Sequence, residues 1–115
     1  MQNYFSKKEL ECPCCGQCFM ADGFMDALNG LRAEINEPFV ITSGFRCVKH
    51  NETLRDASPT SKHLKGLAVD IQVTPRLAWL IAHKAWKYGF FGIGIKKGMI
   101  HIDRRAEPTK ALFGY

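Results

Sequence analysis

Two imidazoles and a carboxylate stand at a spacing that metal chemistry uses. His63 precedes Asp70 within Ser61-Lys62-His63-Leu64-Lys65-Gly66-Leu67-Ala68-Val69-Asp70, and a second histidine, His101, lies on a separate segment. Two neutral imidazoles and one carboxylate are the ligand set of a catalytic zinc that keeps its fourth position for water. Around Asp70 the residue types alternate. Leu67, Val69, Ile71 and Val73 fall on one face of a predicted strand, and Ala68, Asp70 and Gln72 fall on the other. A carboxylate on a short apolar strand needs a partner, because an unpaired buried one is costly. A metal is one such partner. The spacing alone leaves open a second reading, in which Asp70 caps or pairs with an arginine and His63 is a loop histidine.

The segment bearing His101 sharpens the choice. Gly92-Ile93-Gly94-Ile95-Lys96 and Met99-Ile100-His101-Ile102-Asp103 flank Lys97-Gly98, a predicted hairpin turn in which glycine supplies positive φ. His101 and Asp103 share one face of the second strand, and Ile100 and Ile102 share the other. Two strands thus each carry a ligand-type residue on a face poor in large apolar groups. Core packing does not explain that pattern.

The elements that must position these groups follow from local signals. Phe5-Ser6-Lys7-Lys8-Glu9-Leu10 reads as a capping box with a Phe5/Leu10 staple, starting a short helix. A longer helix is predicted from about Asp22 to Asn36, with Phe24, Leu28, Leu31 and Ile35 as its buried stripe. Pro38 stops it, and Phe39 to Ser43 reads as a buried strand. Gly44-Phe45-Arg46-Cys47 turns out of that strand into a polar segment, His50 to Thr60, expected to be irregular with one helical turn. The strand from Leu67 to Val73 follows. Thr74-Pro75 then starts a helix whose inner face is Leu77, Leu80, Ile81, Ala85 and Tyr88 and which Gly89 ends. Arg104 to Tyr115 reads as a tail with no clear period. Few strands, a final antiparallel pair and intermixed helices indicate an α+β domain.

At 115 residues the chain is expected to form one domain, residues 1–115, with a real core and little to spare. With 46% hydrophobic and 23% charged residues the composition is that of an ordinary soluble globular protein. No apolar run is long enough to span a bilayer, and the N-terminus lacks an apolar core region followed by small residues, so no secretory signal is visible. Synthesis in the cytoplasm is therefore expected. A net charge of +5 favours an anionic partner or surface. Nucleic acid is set aside, because the basic residues are scattered and no nucleic-acid motif is present.

Five cysteines are present, four of them in Cys12-Pro13-Cys14-Cys15-Gly16-Gln17-Cys18 and the fifth at Cys47. Three readings stay open: a structural zinc with Cys47 as a distant fourth ligand, a disulfide to Cys47, or small residues in a tight turn with free thiols. No second Cys-x-x-Cys pair stands at zinc-ribbon spacing, and an unexported chain keeps its thiols reduced. The last reading is the preferred one, with a second structural ion as the exception to it.

The motif Ser61-x-His63-x-x-Gly66-x-Ala68-x-Asp70, followed by His101-x-Asp103 in a late hairpin, resembles the zinc peptidases of the D-alanyl-D-alanine carboxypeptidase type. That group includes vancomycin-resistance D,D-dipeptidases, murein endopeptidases and phage endolysins, and shares a zinc fold with the hedgehog signalling domain. Thr42-Ser43-Gly44-Phe45-Arg46 with His50-Asn51, and Phe5-Ser6 with the Cys-Pro-Cys-Cys-Gly loop, extend the resemblance over nearly the whole chain. It implies a small antiparallel sheet with helices packed on one side, and one catalytic zinc on His63, Asp70 and His101. Ser61 would orient the loop or a ligand. Gly66 and Ala68 would be small because the backbone turns close beside the metal. Arg46 would bind a substrate carboxylate or the developing oxyanion, or else form a structural ion pair.

One departure matters. Many members of that group place an acidic general base three residues before the last histidine, and here that position is Gly98. Asp103 is the nearest carboxylate and the expected base, or else it orients a ligand; Glu107 is a weaker candidate. His50 and His83 read as surface histidines. The expected function is a monomeric zinc metallopeptidase that hydrolyses peptidoglycan stem or cross-link peptides, of D,D-carboxypeptidase, endopeptidase or L-Ala-D-Glu endopeptidase type. It would act at the cell wall as a phage or prophage protein, released by a holin or delivered by a tail. The competing reading is a non-catalytic zinc-binding, wall-binding or structural module of a phage lysis or tail assembly.

Overall fold

Helix ends fall where the capping residues stand. In the computed structural model, which describes residues 3–53, 62–105 and 111–114, Ser6 caps α1 (Lys7–Leu10). Its Oγ accepts from the Glu9 amide at 3.3 Å, while Glu9 Oε1 accepts the Ser6 amide at 3.3 Å. This is the reciprocal box read from the sequence. Phe5 and Leu10 are both buried in the core. α2 (Phe24–Ile35) runs from Gly23 to Asn36, and Phe24, Leu28 and Leu31 on its stripe are fully buried. α3 (Val48–Thr53) is the helical turn expected in the polar segment. α4 (Pro75–Lys84) starts on Thr74, whose Oγ1 accepts from the Leu77 amide at 3.2 Å. It tightens into a 3₁₀ turn over Ala85–Tyr88 and ends at Gly89.

Five strands make one sheet: β1 (Val40–Ser43), β2 (Ala68–Gln72), β3 (Gly92–Lys96), β4 (Met99–Asp103) and β5 (Ala111–Gly114), in the order β1-β2-β4-β3-β5. The first four pair antiparallel, and β5 adds to β3 in parallel. The fold is α+β, as expected, and Lys97-Gly98 makes the turn between β3 and β4. Two expectations are corrected. β1 is an edge strand rather than a buried one, with Val40 55% exposed, and the buried place is taken by Phe39 just before it. The segment read as a tail without period supplies β5. Four residues are too few to display a period of two, and the pairing that makes them a strand lies far back in the chain.

The helices pack on one face of the sheet. Val69 and Ile71 of β2 and Ile100 and Ile102 of β4 meet Phe24, Leu28 and Leu31 of α2, Leu77 and Ile81 of α4, and Phe90. Burying the odd-numbered residues of β2 and the even-numbered ones of β4 turns Asp70, His101 and Asp103 to the opposite face. The register sets Asp70 across from His101 and Ala68 across from Asp103. Across β3 the partners of His101 and Asp103 are Gly94 and Gly92. No helix among the described residues is long and apolar enough to cross a membrane.

This division of the sheet predicts where truncation hurts. Leu28→Ala should cost about 2–5 kcal/mol, since Leu28 is fully buried between helix and sheet. Trp79→Ala, on the exposed side of α4, should stay within about 0.5 kcal/mol. Urea unfolding of the two variants at one fixed metal concentration measures both.

Candidate metal centre

Asp70 and His101 are cross-strand partners, so their side chains rise side by side from the polar face. His63 reaches them from a 3₁₀ turn, Lys62–Lys65, that crosses over that face. The turn closes on Gly66, φ 67°, where any side chain would run into the backbone of Phe19 and Met20. Gly66 O accepts from the Ala21 amide at 2.9 Å. Glycine is needed because the motif loop lies directly on the segment before α2, a neighbour different from the metal side expected of it.

Each imidazole has one nitrogen committed away from the centre. His63 Nδ1 donates to Gly44 O at 2.7 Å. A carbonyl oxygen only accepts, so this bond fixes the proton on Nδ1 and leaves the Nε2 lone pair facing Asp70 Oδ1 at 3.3 Å. His101 Nε2 donates to Asp103 Oδ2 at 2.7 Å, and its Nδ1 stands 2.9 Å from Asp70 Oδ1. The three residues are nearly closed to solvent, at 2%, 4% and 8% exposure for His63, Asp70 and His101. Their facing atoms all lie within 4.8 Å of one another.

That donor set fits zinc. Bonds of about 2.0–2.1 Å in a tetrahedron put ligand atoms roughly 3.3 Å apart, close to the two separations from Asp70 Oδ1. Both outer nitrogens are held by oxygen acceptors, the support that orients metal-bound histidines and raises their basicity.

Two arginines complete the surroundings. Arg46 Nη2 lies 3.3 Å from Asp70 Oδ2, while its Nε donates to Ser43 Oγ at 3.1 Å and its Nη1 to Asn51 Oδ1 at 3.4 Å. The arginine partner and the metal partner that the spacing offered for Asp70 are thus both accommodated, one at each oxygen. Arg105 grips Asp103 through Nε on Oδ1 and Nη2 on Oδ2, both at 2.7 Å. Gly92 faces this pair, and a Cβ there would strike the Asp103 carboxylate and Arg105. Arg105 was not singled out from the sequence. The alternation that sets His101 and Asp103 on one face extends to it, and that signal was available.

The charges tune one another. Burial pushes the Asp70 carboxyl up, but its bonds to His101 and His63 hold it well below the ordinary carboxylate range. Burial would lower His101, yet Asp103 and Asp70 together raise it above an ordinary imidazole. Burial also pushes Asp103 up, and Arg105 and His101 outweigh it, bringing Asp103 down to about 2.

The remaining candidates fall elsewhere. Ser61 and Glu107 lie outside the described residues. Gly98 sits in the hairpin turn at φ 79°, and His83 is exposed on α4. His50 is half-buried in α3. Cys12, Cys14, Cys15 and Cys47 gather into a second group, whereas Cys18 packs against the hydrophobic core outside it. No disulfide joins the five thiols. The family model described as Peptidase M15 matches residues 3–103, a span that takes in both groups. No curated protein matches the chain.

Two measurements probe this centre. Zinc binds neutral imidazole, and the raised His101 retains its proton at a pH where an ordinary histidine has lost it. Zinc affinity should therefore fall with acidification from a pH above about 6.5, which chelator competition across about pH 5 to 8 detects. Asp103→Asn should weaken zinc roughly 10–100-fold, with turnover recovering in excess zinc. Unchanged affinity with turnover lost at every zinc concentration would instead make Asp103 the proton shuttle.

Proposed function

This chain belongs to the peptidase M15 family and is a zinc-dependent peptidase, and on that premise we propose that it hydrolyses a peptide bond in the stem or cross-link peptides of peptidoglycan. The observation that carries the catalytic reading is the convergence of His63, Asp70 and His101 on one buried point of the polar face, with both outer histidine nitrogens already held. The murein substrate class is supported by the motif resemblance and by the +5 charge, which draws the protein toward an anionic wall. That substrate would place its action at the cell wall.

His63 Nε2, Asp70 Oδ1 and His101 Nδ1 would hold the zinc. When bound, zinc supplies a Lewis acid that polarises the scissile carbonyl and lowers the pKa of water toward about 7. The protein residues set up that chemistry. Asp103 keeps the His101 proton on Nε2, so Nδ1 presents a lone pair; with its oxygens on Arg105 and His101 it is a positioning residue. Of the two roles expected of Asp103, general base or orienter of a ligand, these contacts support the second. Arg46, fixed by Ser43 and Asn51, sets a guanidinium beside Asp70, where it would stabilise a substrate carboxylate or the developing oxyanion.

A second reading, a zinc module that binds wall peptides without cleaving them, is favoured by one observation. The position that many related peptidases give to an acid is Gly98, in a turn at φ 79° that an acidic side chain would strain.

Purified murein separates the two. Zinc-loaded protein should release new amino and carboxyl termini, and His63→Ala should release none. Arg46→Met should retain zinc and lose roughly 10²–10³-fold in turnover. Intact murein after prolonged incubation with protein shown to carry zinc would overturn murein hydrolysis and favour the binding module.

A further inference from the structure

We propose that Cys12, Cys14, Cys15 and Cys47 bind a second zinc ion, a structural one, that clamps the N-terminal loop to the segment bearing Arg46. The fourth ligand missing from the loop is brought by the fold from far along the chain. Cys47 Sγ stands 3.6 Å from Cys12 Sγ and 3.6 Å from Cys14 Sγ, and the four sulfurs all lie within 4.8 Å of one another. A tetrahedral zinc with bonds of about 2.3 Å to sulfur separates its thiolates by roughly 3.8 Å. A disulfide would draw Cys47 to one partner, yet Cys47 stands equally far from two.

The polar surroundings suit thiolates. The Cys47 amide donates to Cys12 Sγ at 3.5 Å, and the His50 amide donates to Cys47 Sγ at 3.4 Å. Cys12 is fully buried, so an anion there needs such compensation. The loop is shaped for its ligands: Cys12 N donates to Gln17 O at 2.7 Å and Gly16 N to Cys12 O at 2.8 Å. On binding, four thiols release their protons to solvent and no electrons move, so the step needs no oxidant. Cys18, outside the cluster, takes no part.

The placement gives the ion a purpose. Cys47 directly follows Arg46, and the Arg46 amide donates to His63 O at 3.2 Å. The Phe45 amide donates to Leu10 O at 2.8 Å, and Gly44 O receives His63 Nδ1. A clamp at Cys47 therefore braces the backbone that presents both Arg46 and the acceptor for His63.

The test is metal content combined with cobalt spectroscopy on reduced, folded protein. Wild type should hold about two zinc ions per chain, and His63→Ala and Cys47→Ser about one each. Cobalt-loaded wild type and His63→Ala should both show the intense thiolate-to-cobalt charge-transfer band, and Cys47→Ser should lack it. If Cys47→Ser does not fold, titration of wild type with an organomercurial gives the same information, releasing one zinc as the cluster thiols react. A single zinc per chain that His63→Ala abolishes, or cobalt-loaded wild type without the charge-transfer band, overturns the proposal and leaves the peptidase centre standing. Zinc retained by His63→Ala but released by the mercurial supports it whatever the fate of the peptidase centre.

Discussion

A carboxylate almost wholly withdrawn from water, in the middle of a β-strand, is the constraint on which the rest of the molecule depends. Asp70 must be compensated on both oxygens, since an uncompensated buried charge costs several kcal/mol, about 3–5 when one partner is removed. Oδ1 meets His63 and His101, and Oδ2 meets Arg46. Each partner comes from a different element: β4, the turn at Lys62–Lys65 and the loop after β1. The sheet order follows suit, because β2 lies between β1 and β4 and so receives Arg46 from one side and His101 from the other. The same strand carries Val69 and Ile71 into the core. Slipping its register by one residue would place Asp70 against α2 and α4 and expose the isoleucine, so polar site and hydrophobic core enforce one register.

His101 lies between two carboxylates, and the order of their strengths decides its chemistry. Asp103 is fully buried and doubly held by Arg105, so its charge is secured independently of the histidine. Its oxygen then accepts the His101 Nε2 proton, and Nδ1 is left to the side where Asp70 stands. Gly92 on the neighbouring strand leaves the room that Asp103 and Arg105 occupy, and Gly94 stands opposite His101. A β-strand with glycine at alternate positions packs poorly by itself. Here that strand borders a buried ion pair that sets the tautomer of a candidate metal ligand.

Much of this was legible in the sequence because it is local. The Ser6/Glu9 box, the Thr74-Pro75 start, the Lys97-Gly98 turn and the alternation around Asp70 and His101 all lie within a few residues of the groups they organise. The motif resemblance then tied His63 to strands far from it. What local reading missed depends on long-range pairing. β5 exists because β3 offers an open edge. β1 is half-exposed because it stands at the edge of the sheet, and the run Phe39-Val40-Ile41 looks equally apolar in a buried or an edge strand. The sequence offered Cys47 as a distant fourth ligand, but spacing could not tell which of the four loop cysteines it would join, and the fold sets Cys18 aside.

The N-terminal region shows why such a loop would need a clamp. α1 has four residues, far below the roughly 12–15 at which a helix holds itself in water. Its core anchors are Phe5 and Leu10, with the Tyr4 amide fastened to Asn29 Oδ1 at 2.8 Å. Beyond Leu10 the chain runs through residues 11–18 with only Cys12 buried. Leu10, from which this thinly anchored stretch leaves, forms the floor under Gly44, where an added Cβ would press into the Leu10 backbone. It thereby sets the position of the Gly44 carbonyl that orients His63. Hydrophobic burial secures the helix side of the sheet, but the catalytic side, built from charges and small residues, has little apolar area to bury. The proposed metal cross-link between the loop and Cys47 would give that side the rigidity that apolar packing gives the other.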